Sequence, residues 1–429
     1  MLKGISQVLT SHLPKLEEHL NALPDHRQRR DYSTIELVFA AIMLHALKSE
    51  TRCSLNQKRK TAKFKKNYEN AFKLRLPHMD TVTNFLEILP VEDLEKIVKK
   101  VVVHLLNKGL FHRHRLLGRY HTIAVDATGY ASFEKRPNWP CPFRTSKNGK
   151  ITWVQNILCA KLVLPNGLSI PLLTEWLSNE EEYEKQDCEL KAFKRLAQRL
   201  KQMFPRLPIC ILADGLYPNG PFFDLCAKYN WSFIVVLKDG KLKNIWKAVE
   251  QFDDLHPENK RRIMQRTSKT EQVHKSFRWI NDLTYQTHQL SWVEGIIKTH
   301  SWTTAKKGQT ETKKHVFVTN LSITKSNVAE IIQKGRLRWN IENEGFNAQK
   351  NGGYKLKHKM SRVNFNALQN FHTCLQLGHL INQLLHCSLL FKTVFKGLTL
   401  VHCWQTLNAF LLYGNMEEKQ NVTWSLRYG

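Results

Sequence analysis

Acidic residues are scarce in this chain. There are 37 Asp and Glu against 65 Lys and Arg, a formal charge of +28 at pH 7. That imbalance excludes an evenly mixed surface and suits a polyanionic partner, either nucleic acid or an anionic membrane. The basic residues are spread along the chain rather than gathered in a tail, which favours a long nucleic-acid footprint. Paired cysteines are lacking. None of the nine (Cys53, Cys141, Cys159, Cys188, Cys210, Cys226, Cys374, Cys387 and Cys403) stands in a Cys-x-x-Cys pair. Their absence from such spacings excludes a disulfide framework and reads as reduced, buried thiols. Long apolar runs are missing as well: residues 35–47 are too few to span a bilayer and include His45. No secretory signal, internal repeat or low-complexity linker is legible. The expectation is a soluble, cytoplasmic protein of 429 residues with interlocking domains and no membrane contact.

What is present begins with helix, over residues 1–115. Ser33-Thr34-Ile35-Glu36 is a capping box before an apolar helix. Asp80 and Pro90 start helices over 81–88 and 91–106. The run from Lys58, Arg59 and Lys60 to Lys65 and Lys66 reads as a solvated face, with phosphate contact as its rival. His112, His114 and His121 lack a metal-site spacing and read as a basic connector. No helix-turn-helix signature is legible.

From residue 121 the pattern turns to strands. Residues 121–125 form a short apolar run ending at Asp126, and 151–164 and 168–174 flank the turn signal Pro165-Asn166-Gly167. An amphipathic helix follows over 180–204. The apolar run 209–213 reads as a buried strand ending at Asp214. A helix over 221–229 and a strand over 232–237 come next, closed by Lys238. This order predicts an α/β layered sheet with helices on both faces. Residues 240–315 read as a β-rich insertion with strands over 277–285 and 289–297; a strand over 315–321 fits either the insertion or the main sheet. Trp279, Trp292 and Trp302 read chiefly as core.

One uninterrupted helix is predicted from 327 to 350, capped by Asn327 and Glu330 and stopped by Asn351-Gly352-Gly353. Ile332, Trp339 and Phe346 recur at sevens as a single buried stripe, with Trp339 as a packing anchor. Arg338 and Glu342 share a face, whereas Glu344 lies about 200° around from Glu342 and cannot serve the same site. Helices over 365–390 and 393–412 complete the chain.

Asp126 and Asp214 each end a candidate strand, where ligands of an open sheet gather. With Glu342 from a packed helix, three carboxylates can converge. Their mutual repulsion calls for cations, and magnesium takes oxygen ligands while leaving positions open for phosphate. A pair of ions about 4 Å apart serves phosphoryl transfer. These residues resemble insertion-sequence transposases of the DDE class, of the H-repeat-like branch. The resemblance rests on the strand-end aspartates, on Leu23-Pro24-Asp25-His26-Arg27 and Leu76-Pro77-His78-Met79-Asp80-Thr81, and above all on Arg338-Trp339-Asn340-Ile341-Glu342-Asn343.

The resemblance implies a ribonuclease-H-like catalytic domain, metal ligation by Asp126, Asp214 and Glu342, and DNA contact by Arg338. The family's pattern is Tyr, two residues, Arg, three residues, Glu, six residues, Lys. Here Gly335 stands at the tyrosine position, and Gln349 stands at the lysine position with Lys350 one residue late. In an α-helix that delay turns the lysine by about 100°. Lys238, Lys350, Lys58, Arg59 and Lys60 are the further DNA-contact candidates.

The expected organisation is a helical DNA-binding region (1–115), a catalytic domain (116–239 and 316–360), the insertion (240–315) and a C-terminal helical region (361–429). The expected activity is cleavage of element ends and their joining to target DNA with two Mg2+ ions, Mn2+ being an acceptable substitute. Partners would be terminal inverted repeats, target DNA in the nucleoid, and a second copy of the chain on paired ends. The alternatives are a stand-alone metal-dependent nuclease and a catalytically silent DNA-binding descendant.

Overall fold

The computed structural model describes residues 1–179, 186–252, 257–268, 270–303 and 306–415. Helices α1 (Leu2–His12), α2 (Leu16–Asn21), α3 (Thr34–Ala46), α4 (Arg52–Lys60), α5 (Ala62–Phe72), α6 (Met79–Ile88) and α7 (Val91–Asn107) precede the first strand. The capping box forms: Ser33 Oγ accepts from the Glu36 N–H, and the Glu36 carboxylate accepts from the Ser33 N–H. Nearly every residue of α3 is apolar and buried, so this helix is a core element rather than an amphipathic surface one.

Then come β1 (His121–Phe133), β2 (Phe143–Thr145), β3 (Ile151–Val163), β4 (Ser169–Trp176), α8 (Glu189–Met203), β5 (Ile209–Ala213), α9 (Gly220–Tyr229) and β6 (Ser232–Val236). After α10 (Lys243–Phe252) the chain forms β7 (Lys260–Ser268), β8 (Glu271–Tyr285), β9 (His288–Thr303) and β10 (Lys306–Thr319). Among the described residues all ten strands belong to one sheet, ordered β2-β3-β1-β5-β6-β10-β9-β8-β7, with β4 also on β3. β3 is antiparallel to β1 and β4, while β5 runs parallel to β1 and β6. This is the ribonuclease-H-like mixed sheet expected. Gly167, at φ +89°, makes the β3–β4 turn that the Pro165-Asn166-Gly167 signal predicts.

Several expected boundaries move. β1 runs on to Phe133, so Asp126 lies within the strand rather than at its end. The helix expected over 180–204 begins at Glu189, and its stretch 180–185 lies outside the described residues. The insertion is not a separate layer. β10 pairs with β9 along its length, and its last residues, Phe317 to Thr319, pair with β6. The boundary expected at 315 therefore falls inside a strand. Of the insertion tryptophans, Trp279 and Trp292 are buried and Trp302 is exposed.

The chain ends in α11 (Val328–Arg336), a π-helical turn (Ile341–Asn347), α12 (Ala348–Asn351), α13 (Phe365–Cys387), α14 (Leu389–Val394) and α15 (Leu400–Tyr413). The tail 416–429 of the expected C-terminal region lies outside the described residues. Each face of the sheet has its own core: Ile123 and Val125 of β1 join the cluster that holds α3, α7 and α8, and Ala124 joins the one under α11. α13 is buried along most of its length and stitches the layers together through polar side chains. Asn370 donates to the carbonyls of Leu86 (2.9 Å) and Leu89 (2.8 Å), and Asn382 to that of Ala46 (3.0 Å). Each such bond matters because a buried carbonyl left unpaired costs about 1–3 kcal/mol.

α11 lies so close to the sheet that Gly335 has no room for a side chain. A Cβ there would stand 2.9 Å from Ile234 of β6 and 2.9 Å from the Phe317 ring of β10. The family's tyrosine therefore cannot occupy this position in this fold. In a helix, Gly→Ala ordinarily gains about 1 kcal/mol of propensity. Overpacking a rigid buried contact costs about 1–3 kcal/mol. Gly335→Ala is accordingly expected to lower stability in urea denaturation, with the propensity gain outweighed.

Candidate active site

The register of the parallel strands sets two of the acids side by side. His121 pairs with Ile209 and Ala124 with Leu212, so the same offset brings Asp126 level with Asp214. β5 stops at Ala213 while β1 continues. Both aspartates thus sit at the carboxyl end of the parallel pair, on strands about 4.8 Å apart. The expectation that both acids stand at one sheet end holds, although Asp126 reaches it from within a strand.

A cation of the chain lies against each aspartate. Arg338 Nη1 is 3.4 Å from Asp126 Oδ2, and Lys238 Nζ is 3.2 Å from Asp214 Oδ2. Asp214 Oδ1 accepts from the Leu216 N–H at 2.8 Å, which orients the carboxylate. Gly215 is a further close approach: a Cβ there would stand 2.5 Å from the Lys238 side chain. Arg338 is buried, with its guanidinium 4.5 Å from the centroid of the Trp339 ring.

Trp339 is itself 50% exposed, so it is not the buried anchor expected from the stripe at sevens, although Ile332 and Phe346 are buried. The reason is a break in the helix. α11 ends at Arg336, and the bonds Arg338 N–H to Gly335 O and Ile341 N–H to Arg338 O are tight i→i−3 bonds. The expected cap also differs. Asn327 Oδ1 accepts from Thr324 N–H, and Glu330 accepts from the Leu117 N–H at 2.9 Å, tying α11 to the segment before β1.

The π-helical turn answers the displaced lysine. A π turn uses one residue more than an α turn, so the late Lys350 is carried back toward the face of Glu342. Gln349 instead points into the core, fully buried, with its amide 2.9 Å from Gln376 Oε1 and 2.9 Å from His379 Nδ1. Lys350 is half-buried; burial and Lys357 lower its pKa, while attraction to Glu342 and Asp126 opposes this. Glu342 is exposed on the same turn. Glu344 leans the other way, against Gly167 of the β3–β4 turn, as the angular argument predicts. Asn340 fixes the approach of this segment by donating to the Leu164 carbonyl at 2.8 Å.

The Asp126 carboxyl is pushed up to about 6. Burial is the main cause; Arg338 and the Ala127 N–H pull it down, and repulsion from Glu342 and Asp214 adds to the rise. One field therefore joins the three acids. Among the described residues, however, no three acidic, histidine or cysteine side chains are gathered closely enough to hold a metal ion. The chain's own cations already lie against the aspartates. The donor set nonetheless fits a hard divalent ion: every donor is a carboxylate oxygen, and the raised Asp126 marks a place where added positive charge is favourable.

The remaining candidates lie elsewhere. Lys58 donates to Asn408 Oδ1 at 2.7 Å and to Ser49 Oγ at 3.3 Å, and Arg59 donates to the Leu76 carbonyl at 2.9 Å. These two hold helices together, and Lys60 alone of the three is exposed. Sequence reasoning missed Glu189, the first residue of α8, which acts electrostatically on the same aspartates. Nothing in its surroundings, a run rich in acids read as one amphipathic helix, marks it out.

Residues 186–374 match the family model described as Transposase DDE domain. The match includes Asp214, Lys238, Arg338, Glu342 and Lys350 and begins after Asp126, so the case for Asp126 is the register and the shared field. No curated protein matches the chain significantly. Among the described residues no helix is long and apolar enough to cross a membrane.

A carbon-13 NMR titration of the metal-free protein is expected to find Asp126 titrating at about 6. Arg338→Gln should move the midpoint up and Glu342→Gln should move it down. The folded value lies above the ordinary 3.8, so this carboxyl adds stability below about pH 4 and withdraws it as the pH rises through 6.

Proposed function

The transposase DDE domain matched over residues 186–374 sets this chain among the DDE-class transposases, and we propose that it cuts the ends of an insertion sequence and joins them to target DNA. The observation that carries the reading is the level register of Asp126 and Asp214, within the field of Glu342 and Arg338. Asp126, Asp214 and Glu342 would hold magnesium, manganese being able to replace it. A bound pair of such ions supplies polarisation of the attacking oxygen and charge neutralisation of the leaving one.

In the cut, a water oxygen bonds to phosphorus and the bond from phosphorus to the 3′ oxygen breaks. The proton lost by water ends in solvent, and the 3′ oxygen gains one. In the joining step that 3′-hydroxyl attacks a target phosphodiester, so one P–O bond again forms as one breaks. The chain's own residues hold the phosphate for both steps. Arg338 presents a planar fork suited to two phosphate oxygens, and its burial limits the geometries it can adopt. Lys238, against Asp214, and Lys350, within the field of Glu342 and Asp126, add point charges. DNA entry requires Arg338 and Lys238 to exchange a carboxylate partner for phosphate, which leaves the aspartates available to cations. The net charge of +28 favours long-range attraction of the duplex. The paired-end complex would be a homodimer on DNA in the cytoplasm, associated with the nucleoid.

The test is a nicking and strand-transfer assay on duplex carrying the inverted repeat that flanks the coding region. Wild-type chain with Mg2+ is expected to give nicked and joined products. Asp214→Ala should lose several kcal/mol of transition-state stabilisation, about a thousandfold or more in rate, while filter binding of the DNA persists. Undiminished nicking by Asp214→Ala would reject the site. Binding without products from wild type would favour the silent descendant, and nicking without joining the stand-alone nuclease.

A further inference from the structure

We propose that Glu189, held by Tyr217, is a fourth acid of the reaction centre: a positioning residue whose free oxygen orients the hydration water of a divalent ion at Asp126 and Asp214. The inference rests on the reading of those aspartates given above.

Tyr217 belongs to the turn that follows β5. Its N–H donates to the Asp214 carbonyl at 3.2 Å, so the ring is placed by the same turn that places the aspartate. The ring is fully buried between Phe193 and Phe222, with centroids 5.3 Å and 5.7 Å away. Phe193 stands one helical turn after Glu189 on α8, so one packing contact fixes both partners of the pair.

The Tyr217 hydroxyl donates to Glu189 Oε1 at 2.8 Å. Oε2 of Glu189 accepts no hydrogen bond among the described residues. Glu189 also lines a cleft of about 430 Å³ that is lined as well by Ala127, Thr128 and Gly129, the residues that follow Asp126 on β1. A carboxylate with one oxygen fixed by a buried phenol and the other left without a protein donor beside such a cleft is suited to holding water.

The electrostatics agree with this placement. Burial pushes the Glu189 carboxyl up, Tyr217 draws it down, and repulsion from Asp126 and Asp214 raises it further against the pull of Arg338. Asp214 and Arg338 also act on Asp126. An acid that served packing alone would gain from a neutral isostere here, because neither burial nor the aspartates favour its charge.

The test measures Mn2+ binding to the full chain by electron paramagnetic resonance, without DNA and without turnover. Groups that hydrogen-bond a metal's ligands or bound water are worth about tenfold or more in affinity. Glu189→Gln is therefore expected to weaken Mn2+ binding about tenfold, Tyr217→Phe to weaken it in the same direction but less, and Glu189→Asp to recover part of the loss. Thermal melting of the metal-free variants should find Glu189→Gln at least as stable as wild type. If Asp214→Ala weakens Mn2+ binding and Glu189→Gln leaves it unchanged, this inference is overturned while the proposed centre stands. If neither change alters binding, the centre itself is wrong. Lost stability in Glu189→Gln with unchanged Mn2+ affinity would assign Glu189 to packing and also overturn the inference.

Discussion

Like charge gathered in a partly dry place is the constraint that the centre of this molecule answers to. Glu342 and Asp214 repel Asp126, both aspartates repel Glu189, and burial raises the cost of negative charge on Asp126 and Glu189. Arg338 and Lys238 offset that cost in the DNA-free chain. The balance is incomplete, since Asp126 still stands well above an ordinary aspartate. That incomplete balance is what the proposed binding of a hard cation rests on.

Holding such a group together falls to elements that have nothing to do with the chemistry. α11 reaches the sheet at Gly335, where only hydrogen fits. The tight turn through Leu337 and Arg338 then redirects the chain, and the π turn widens it again so that Glu342 and Lys350 return to one side. Gln349 locks that register by bonding to α13. α13 in turn holds α3 and α6 through Asn382 and Asn370. The N-terminal helices are therefore joined to the segment that carries Glu342 by hydrogen-bonded buried amides as well as by apolar contact, and any slippage of α13 would strand polar groups away from water.

The sheet divides labour along its width. Its β1–β5–β6 portion carries the acids, and β7 to β10 extend it outward as a long antiparallel arm. β10 belongs to both, because its last residues pair with β6 while the rest pairs with β9. A load on the arm is thus transmitted along a single strand to the neighbour of the strand that precedes Asp214. Lys58 and Arg59 show the opposite economy: cations in a run that looks like a phosphate patch are used inside the protein, as donors to Asn408 and to a backbone carbonyl.

Alternation and capping signals were enough to determine the mixed sheet, the β3–β4 hairpin and the capping box of α3, because each depends on neighbours in the chain. The candidates Asp126, Asp214 and Glu342 stand out in the sequence for the same reason: two follow buried apolar runs and one sits in a dense local motif. The break after Arg336, the exposure of Trp339 and the π turn were not legible. A helical repeat of the sequence is compatible with one straight helix, and only packing against Ile234, Phe317 and α13 selects the irregular one. Glu189 was hidden for a related reason. Its significance comes from a hydrogen bond to Tyr217, far along the chain, and from a field set by strands it does not belong to. Local periodicity decides which elements form; which side chains share a charge environment is decided only when distant segments are packed, since electrostatic interaction depends on distance in space and on the water excluded between the groups.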